Sequence, residues 1–224
     1  MTNGYIPSWL RETKKEQQLV EQAQAKSGDW KNGIEFVRNF SEDAMHDLYV
    51  FVTELEIPKI KKSILVYKNK HNDSYIGGTY DEEKHSYKTG DVMEKHFYAV
   101  FSISFHKQNL TNYKNSYSVK GVAVIDNDNF NRSGIAYEMY KYFVKEKNYT
   151  IVGDSEQYYG VRMLWAKLSK NLDLKVDIYN IKKNELLFTD VILHHGKYDS
   201  DFDERLWSYS KDKHNIRSIL IDIL

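Results

Sequence analysis

Apolar and polar residues alternate with the period of a β-strand over much of the chain beyond Ile60. Residues 63–67 and 75–80 read as paired strands, with the polar run Lys-Asn-Lys-His-Asn-Asp as the hairpin turn between them. Residues 96–105 make a long strand and 118–125 another, while the charged stretch 81–91 is either a loop or an extended hairpin. Later, 174–179 and 186–193 flank a short polar link and read as an antiparallel pair. Residues 218–224 form a last strand.

Helical spacing appears in four places. Residues 8–26 are polar, with Ser8 as an N-cap and a thin apolar stripe (Trp9, Leu10, Leu19, Val20, Ala23), which predicts a peripheral helix or arm. Ser41 opens a stronger pattern, with Glu42 and Asp43 where the dipole favours acids and Met45, Leu48, Val52 and Leu55 at helical intervals. Pro58 lies just beyond its end. The remaining two patterns, near 135–143 and 160–168, follow strand-like runs. The expected division is an amino-terminal helical extension, 1–40, and one compact domain, 41–224.

The block from 119 to 143 carries the most chemistry. An apolar strand leads through the polar loop Asp126-Asn-Asp-Asn-Phe130 to Asn131-Arg-Ser-Gly-Ile-Ala136, and then to a helix with Ile135, Met139, Tyr142 and Phe143 on one side. Free N–H groups at such a helix start, backed by the helix dipole, attract an anion, and a glycine admits the ligand close to the backbone. A second short strand, 149–152, and a second helix follow at once.

Composition narrows the field. Hydrophobic content of 41% supports a real core. Lysine plus arginine equals aspartate plus glutamate, 32 against 32, so there is no global field for non-specific nucleic-acid binding. There is no cysteine, which removes disulfides, thiolate metal sites and a cysteine nucleophile. No apolar run suits a bilayer span or a signal peptide, so the expectation is a cytoplasmic protein without membrane partners. His194 and His195, adjacent on a strand, would face opposite ways and share no metal easily.

The order of elements and the central block resemble the GCN5-related N-acetyltransferase (GNAT) superfamily over roughly residues 45–195. In that family a loop of pattern Gln/Arg-x-x-Gly-x-Gly/Ala holds the pyrophosphate of acyl-CoA. The matching positions are Asn131, Arg132, Ser133, Gly134, Ile135 and Ala136, where Asn131 departs from the pattern while Gly134 and Ala136 fit. The stretch from Asp154 to Leu168 looks like acetyltransferase-like proteins often encoded by bacteriophages. The resemblance implies an α/β (mixed α+β) fold, a central mixed and mostly antiparallel sheet with helices on both faces. It also implies acetyl-CoA as cosubstrate, no metal, and an amine acceptor, either a small molecule or a protein.

Direct acyl transfer needs a docked thioester, a polarised carbonyl and proton transfer at amine and sulfur. The resemblance assigns polarisation to main-chain N–H groups around Val122 and Val124, and pantetheine or substrate contacts to Asp154 and Ser155. The family's tyrosine acid falls at Trp165, whose indole cannot give up a proton near neutral pH, leaving Tyr158 and Tyr159 as acids. Asp126, Glu156 and His106 are the candidate bases. The acceptor would meet loops around 28–40, 81–95 and 194–212. Two other functions compete: a catalytically inactive binding or host-interaction protein of the same fold, working in the host cytoplasm if phage-encoded, and nucleic-acid or aminoacyl-group modification, which Lys59, Lys61, Lys62, Lys68 and Lys70 would serve.

Overall fold

The computed structural model describes residues 39–87, 90–124, 133–153, 159–194 and 216–222. Among them are ten strands and three α-helices. The strands are β1 (Asn39–Ser41), β2 (Tyr49–Ile57), β3 (Lys62–Asn69), β4 (Ser74–Tyr87), β5 (Gly90–Leu110), β6 (Tyr113–Val124), β7 (Thr150–Val152), β8 (Leu174–Asn180), β9 (Glu185–Phe188) and β10 (Ile216–Asp222). The helices are α1 (Glu42–Leu48), α2 (Ile135–Lys145) and α3 (Tyr159–Leu168). Hydrogen-bonded neighbours run β2-β3-β4-β5-β6-β7-β10-β8-β9, with β1 on β5. The pair β6/β7 is parallel and bridged by α2.

This corrects the expected GNAT-like α/β fold with helices on both faces. Helices of 7, 11 and 10 residues extend only roughly 10–16 Å each, too little to cover both faces of a ten-stranded sheet. Strands dominate, with β4 and β5 alone running for 14 and 21 residues. The helix expected from Ser41 towards Leu55 stops at Leu48. Ser41 Oγ does cap it, accepting the Ala44 N–H at 3.3 Å. Beyond Leu48 the aromatic and β-branched run Tyr-Val-Phe-Val-Thr favours a strand, and β2 pairs with β3 from Tyr49 to Ile57. Within the charged stretch 81–91, residues 81–87 and 90–91 continue the β4–β5 ladder, down to Tyr87 opposite Gly90.

The chain forms two compact units. The described residues of one fall within 39–105 and 120–138. Its core gathers Phe40, Met45, Tyr49, Ile76, Phe97 and Ala99 on one sheet face, with Tyr67 and Tyr80 meeting Phe97 edge-on at 5.2 and 5.3 Å. A β-bulge reverses the faces of β5. Gly77 lies opposite Phe101 and Gly78 opposite Ala99, so Val100 has no partner on β4. The face that carries Phe97 and Ala99 therefore continues as Ser102 and Ser104, opposite Ile76 and Ser74.

The described residues of the other unit fall within 106–119 and 139–222. Trp165 of α3 is wholly buried and meets Tyr140 of α2 edge-on at 6.1 Å, which makes it a core residue. Asp177 on β8, 1% exposed, is held by the Tyr113 hydroxyl at 2.6 Å, the Thr189 hydroxyl at 2.9 Å and the Asp190 N–H at 2.9 Å. Lys175 Nζ adds a contact at 3.5 Å. These bonds bend the chain after Phe188, with Asp190 at φ 51°, so the strand expected over 186–193 ends early. His194 lies in irregular backbone, and His195 lies outside the described residues.

Candidate functional site

The helix start proposed from sequence lies in the first unit, among its described residues 133–138. Ser133 is 2% exposed and turns its hydroxyl back to accept the Ile135 N–H at 3.3 Å. Gly134 has φ +86°, the left-handed region that a residue with a side chain avoids. Among the described residues, chain neighbours aside, no heavy atom stands within 4 Å of the point a Cβ would occupy there, so none of them fills the space over the turn. Its carbonyl accepts the Glu138 N–H at 3.1 Å, the first bond of α2. Ile135 is buried and anchors the helix from below, while Ala136 is half-buried. Among the described residues no acceptor takes the Gly134 or Ala136 N–H, and both stand at the positive end of the α2 dipole.

The strand that leads to this turn supplies a second set of amides. β6 pairs with β7 only from Ser116 opposite Thr150 to Ser118 opposite Val152. Gly153 then gives its N–H to Ser218 on β10 at 2.8 Å, while β6 itself continues to Val124. Successive amides of a strand point to opposite edges, so every second amide beyond Ser118 faces away from β5. Val122 is half-buried and Val124 exposed.

Four predicted residues therefore come together at the turn, Ser133, Gly134, Ile135 and Ala136, with Val122 and Val124 on the strand before it. Asp126, Asn131 and Arg132 lie outside the described residues, as do Asp154, Ser155, Glu156 and Tyr158. Tyr159 begins α3, but its side chain lies outside them too. His106 is an exposed residue of β5. Of the lysines considered for nucleic acid, Lys68 pairs with Asp73 at 3.0 Å and Lys70 donates to the His46 carbonyl at 2.6 Å. No group of three or more His, Cys, Asp or Glu side chains among the described residues could hold a metal. No helix among them is long and apolar enough to cross a membrane.

Sequence reasoning missed a cavity of about 450 Å³ in the same unit. Ile76, Ser102 and Ser104 line its floor, Phe40 and Tyr49 one wall, and Asn69, Asp73 and Lys120 its edge. Burial raises the Tyr49 hydroxyl above its ordinary pKa, and a hydrogen bond with Asn69 opposes that rise. The signal was present in two parts. A Gly-Gly pair within a strand marks a bulge, and two serines interrupt the otherwise apolar run from Val100 to Phe105. Compared with protein-family models, with curated proteins and with solved structures, the chain matches none.

Proposed function

We propose that the protein is an N-acyltransferase that moves an acetyl group from acetyl-CoA to an amine by direct attack. The observation that carries this reading is the open left-handed turn at Gly134, directly before α2. A diphosphate needs several N–H donors converging on a space free of side chains, and a helix start preceded by glycine provides them. Asn131 and Arg132 precede that turn in sequence, and Arg132 supplies positive charge for the phosphates. The β6 amides near Val122 and Val124 would donate to the thioester carbonyl as charge develops on its oxygen. The amine then attacks the carbonyl carbon, the C–S bond breaks, and the thiolate takes a proton from Tyr158 or Tyr159. Asp126 or Glu156 accepts the proton lost by the amine. No cysteine is required, because no acyl-enzyme forms.

Acetyl-CoA as cosubstrate places the activity in the cytoplasm, or in the host cytoplasm for a phage-encoded protein. Calorimetric titration with acetyl-CoA and CoA tests the reading, followed by mass spectrometry of an amine panel after incubation. The expected result is saturable binding of both nucleotides and a 42-dalton gain on at least one amine, the mass of an acetyl group replacing hydrogen (roughly one group per amine). No heat at millimolar nucleotide would end the proposal.

A further inference from the structure

The cavity over Ser102 and Ser104 has chemistry of its own, independent of the turn at Gly134. Ser102 is 4% exposed and Ser104 half-buried, and both line the cavity. Two hydroxyls side by side on a cavity floor present hydrogen-bonding groups at a fixed spacing to an occupant. Their placement is a product of the bulge at Val100. Without that extra residue the positions facing the cavity would be Phe101 and Ile103, and its floor would be apolar.

The occupant's class follows from what surrounds these hydroxyls. The floor is uncharged, and an ion seated there would lack a compensating charge. The charges at the edge are one of each sign, Asp73 and Lys120, and Asp73 is already paired with Lys68 at 3.0 Å. Hydroxyl groups both donate and accept, which suits a ligand whose own groups do the same. The wall made by Phe40 and Tyr49, edge-on to each other at 5.5 Å, offers an apolar surface for C–H groups. A volume of about 450 Å³ falls in the range of small-molecule sites. We propose that this cavity binds a neutral, polyhydroxylated ring compound, a mono- or disaccharide, with Ser102 and Ser104 hydrogen-bonded to its hydroxyls and its apolar face against Phe40 and Tyr49.

Saturation-transfer NMR tests this with the full chain and a panel of glucose, galactose, N-acetylglucosamine, glucosamine and maltose, alongside glucose 6-phosphate and spermidine. The expected result is saturable binding of at least one uncharged sugar. Ser102→Ala and Ser104→Ala should each weaken it about tenfold, because each removes one hydrogen bond. Neither variant should lower the thermal midpoint, since each removes only a hydroxyl group at the cavity surface. Failure of every uncharged sugar to bind, binding of the phosphate or the polyamine alone, or sugar binding unchanged in both variants would each overturn the assignment. Acetyl-CoA titration of the same variants separates the two sites, since wild-type CoA affinity is expected in both.

Discussion

A side chain at position 134 would have to adopt φ +86° and would project into the space where a phosphate is proposed to sit. Gly134→Ala should therefore have two separable effects. The backbone strain costs about 1–2 kcal/mol of stability, measurable by urea unfolding. CoA affinity should fall at least tenfold, about 1.4 kcal/mol or more, by calorimetry. Tyr113 offers a test of a different kind. Burial, and then the Asp177 carboxylate beside it, hold its hydroxyl far above the usual tyrosine pKa. Below pH 10 the hydroxyl is neutral in both folded and unfolded chains, so its contribution is fully present. Above that, only the unfolded chain ionises, and stability falls as pH rises. Tyr113→Phe should cost about 1.5–3 kcal/mol at pH 7 by loss of a hydrogen bond to a charged group. It should also shallow the loss of stability above pH 10, read from unfolding midpoints across pH. An alkaline slope identical to wild type would show that the Tyr113–Asp177 bond does not hold that proton.

At the scale of elements, the β4–β5 pair carries the sharpest expectation. A Cβ on Gly78 would stand 2.0 Å from the Tyr98 carbonyl oxygen, a backbone atom that cannot step aside. Gly78→Ala should destabilise the fold by roughly 2–4 kcal/mol, seen in chemical denaturation. A variant as stable as wild type would contradict the bulge that turns Ser102 and Ser104 into the cavity. Elements were legible where one period was unopposed, and that explains the pattern of agreement. The helix at α2 followed its apolar stripe, and β8 and β10 followed their short apolar runs, in which consecutive residues are buried. The segment after Ser41 misled because Met45, Leu48, Val52 and Leu55 fit a helix while Tyr49, Phe51 and Thr53 fit a strand. Pairing with β3 along its length decided the outcome, a tertiary contact that no local pattern contains. The early end of β9 was hidden for a similar reason, since Asp177 receives its bonds from residues 12, 13 and 64 positions away.

For the molecule as a whole, the balance of 32 basic and 32 acidic residues predicts little affinity for polyanions. A gel-shift assay with DNA and RNA at low salt should show no retarded species, and a retarded one would favour nucleic-acid modification over amine acylation. The helix-covered sheet implied by the GNAT resemblance did not appear, because order of elements along a chain fixes neither their lengths nor the share of sheet they cover. The turn at Gly134 was legible, since glycine before an apolar-periodic run has few other physical reasons to stand there. The serine-floored cavity was not, because it depends on one unpaired residue, Val100, whose position is set by cross-strand register. The most direct test of the account is an amide-resolved NMR titration of the ¹⁵N-labelled protein with CoA. The amides of Gly134, Ile135 and Ala136 should shift together and saturate as the diphosphate settles over the turn. Resonances at these three positions that stay fixed through millimolar CoA would contradict it.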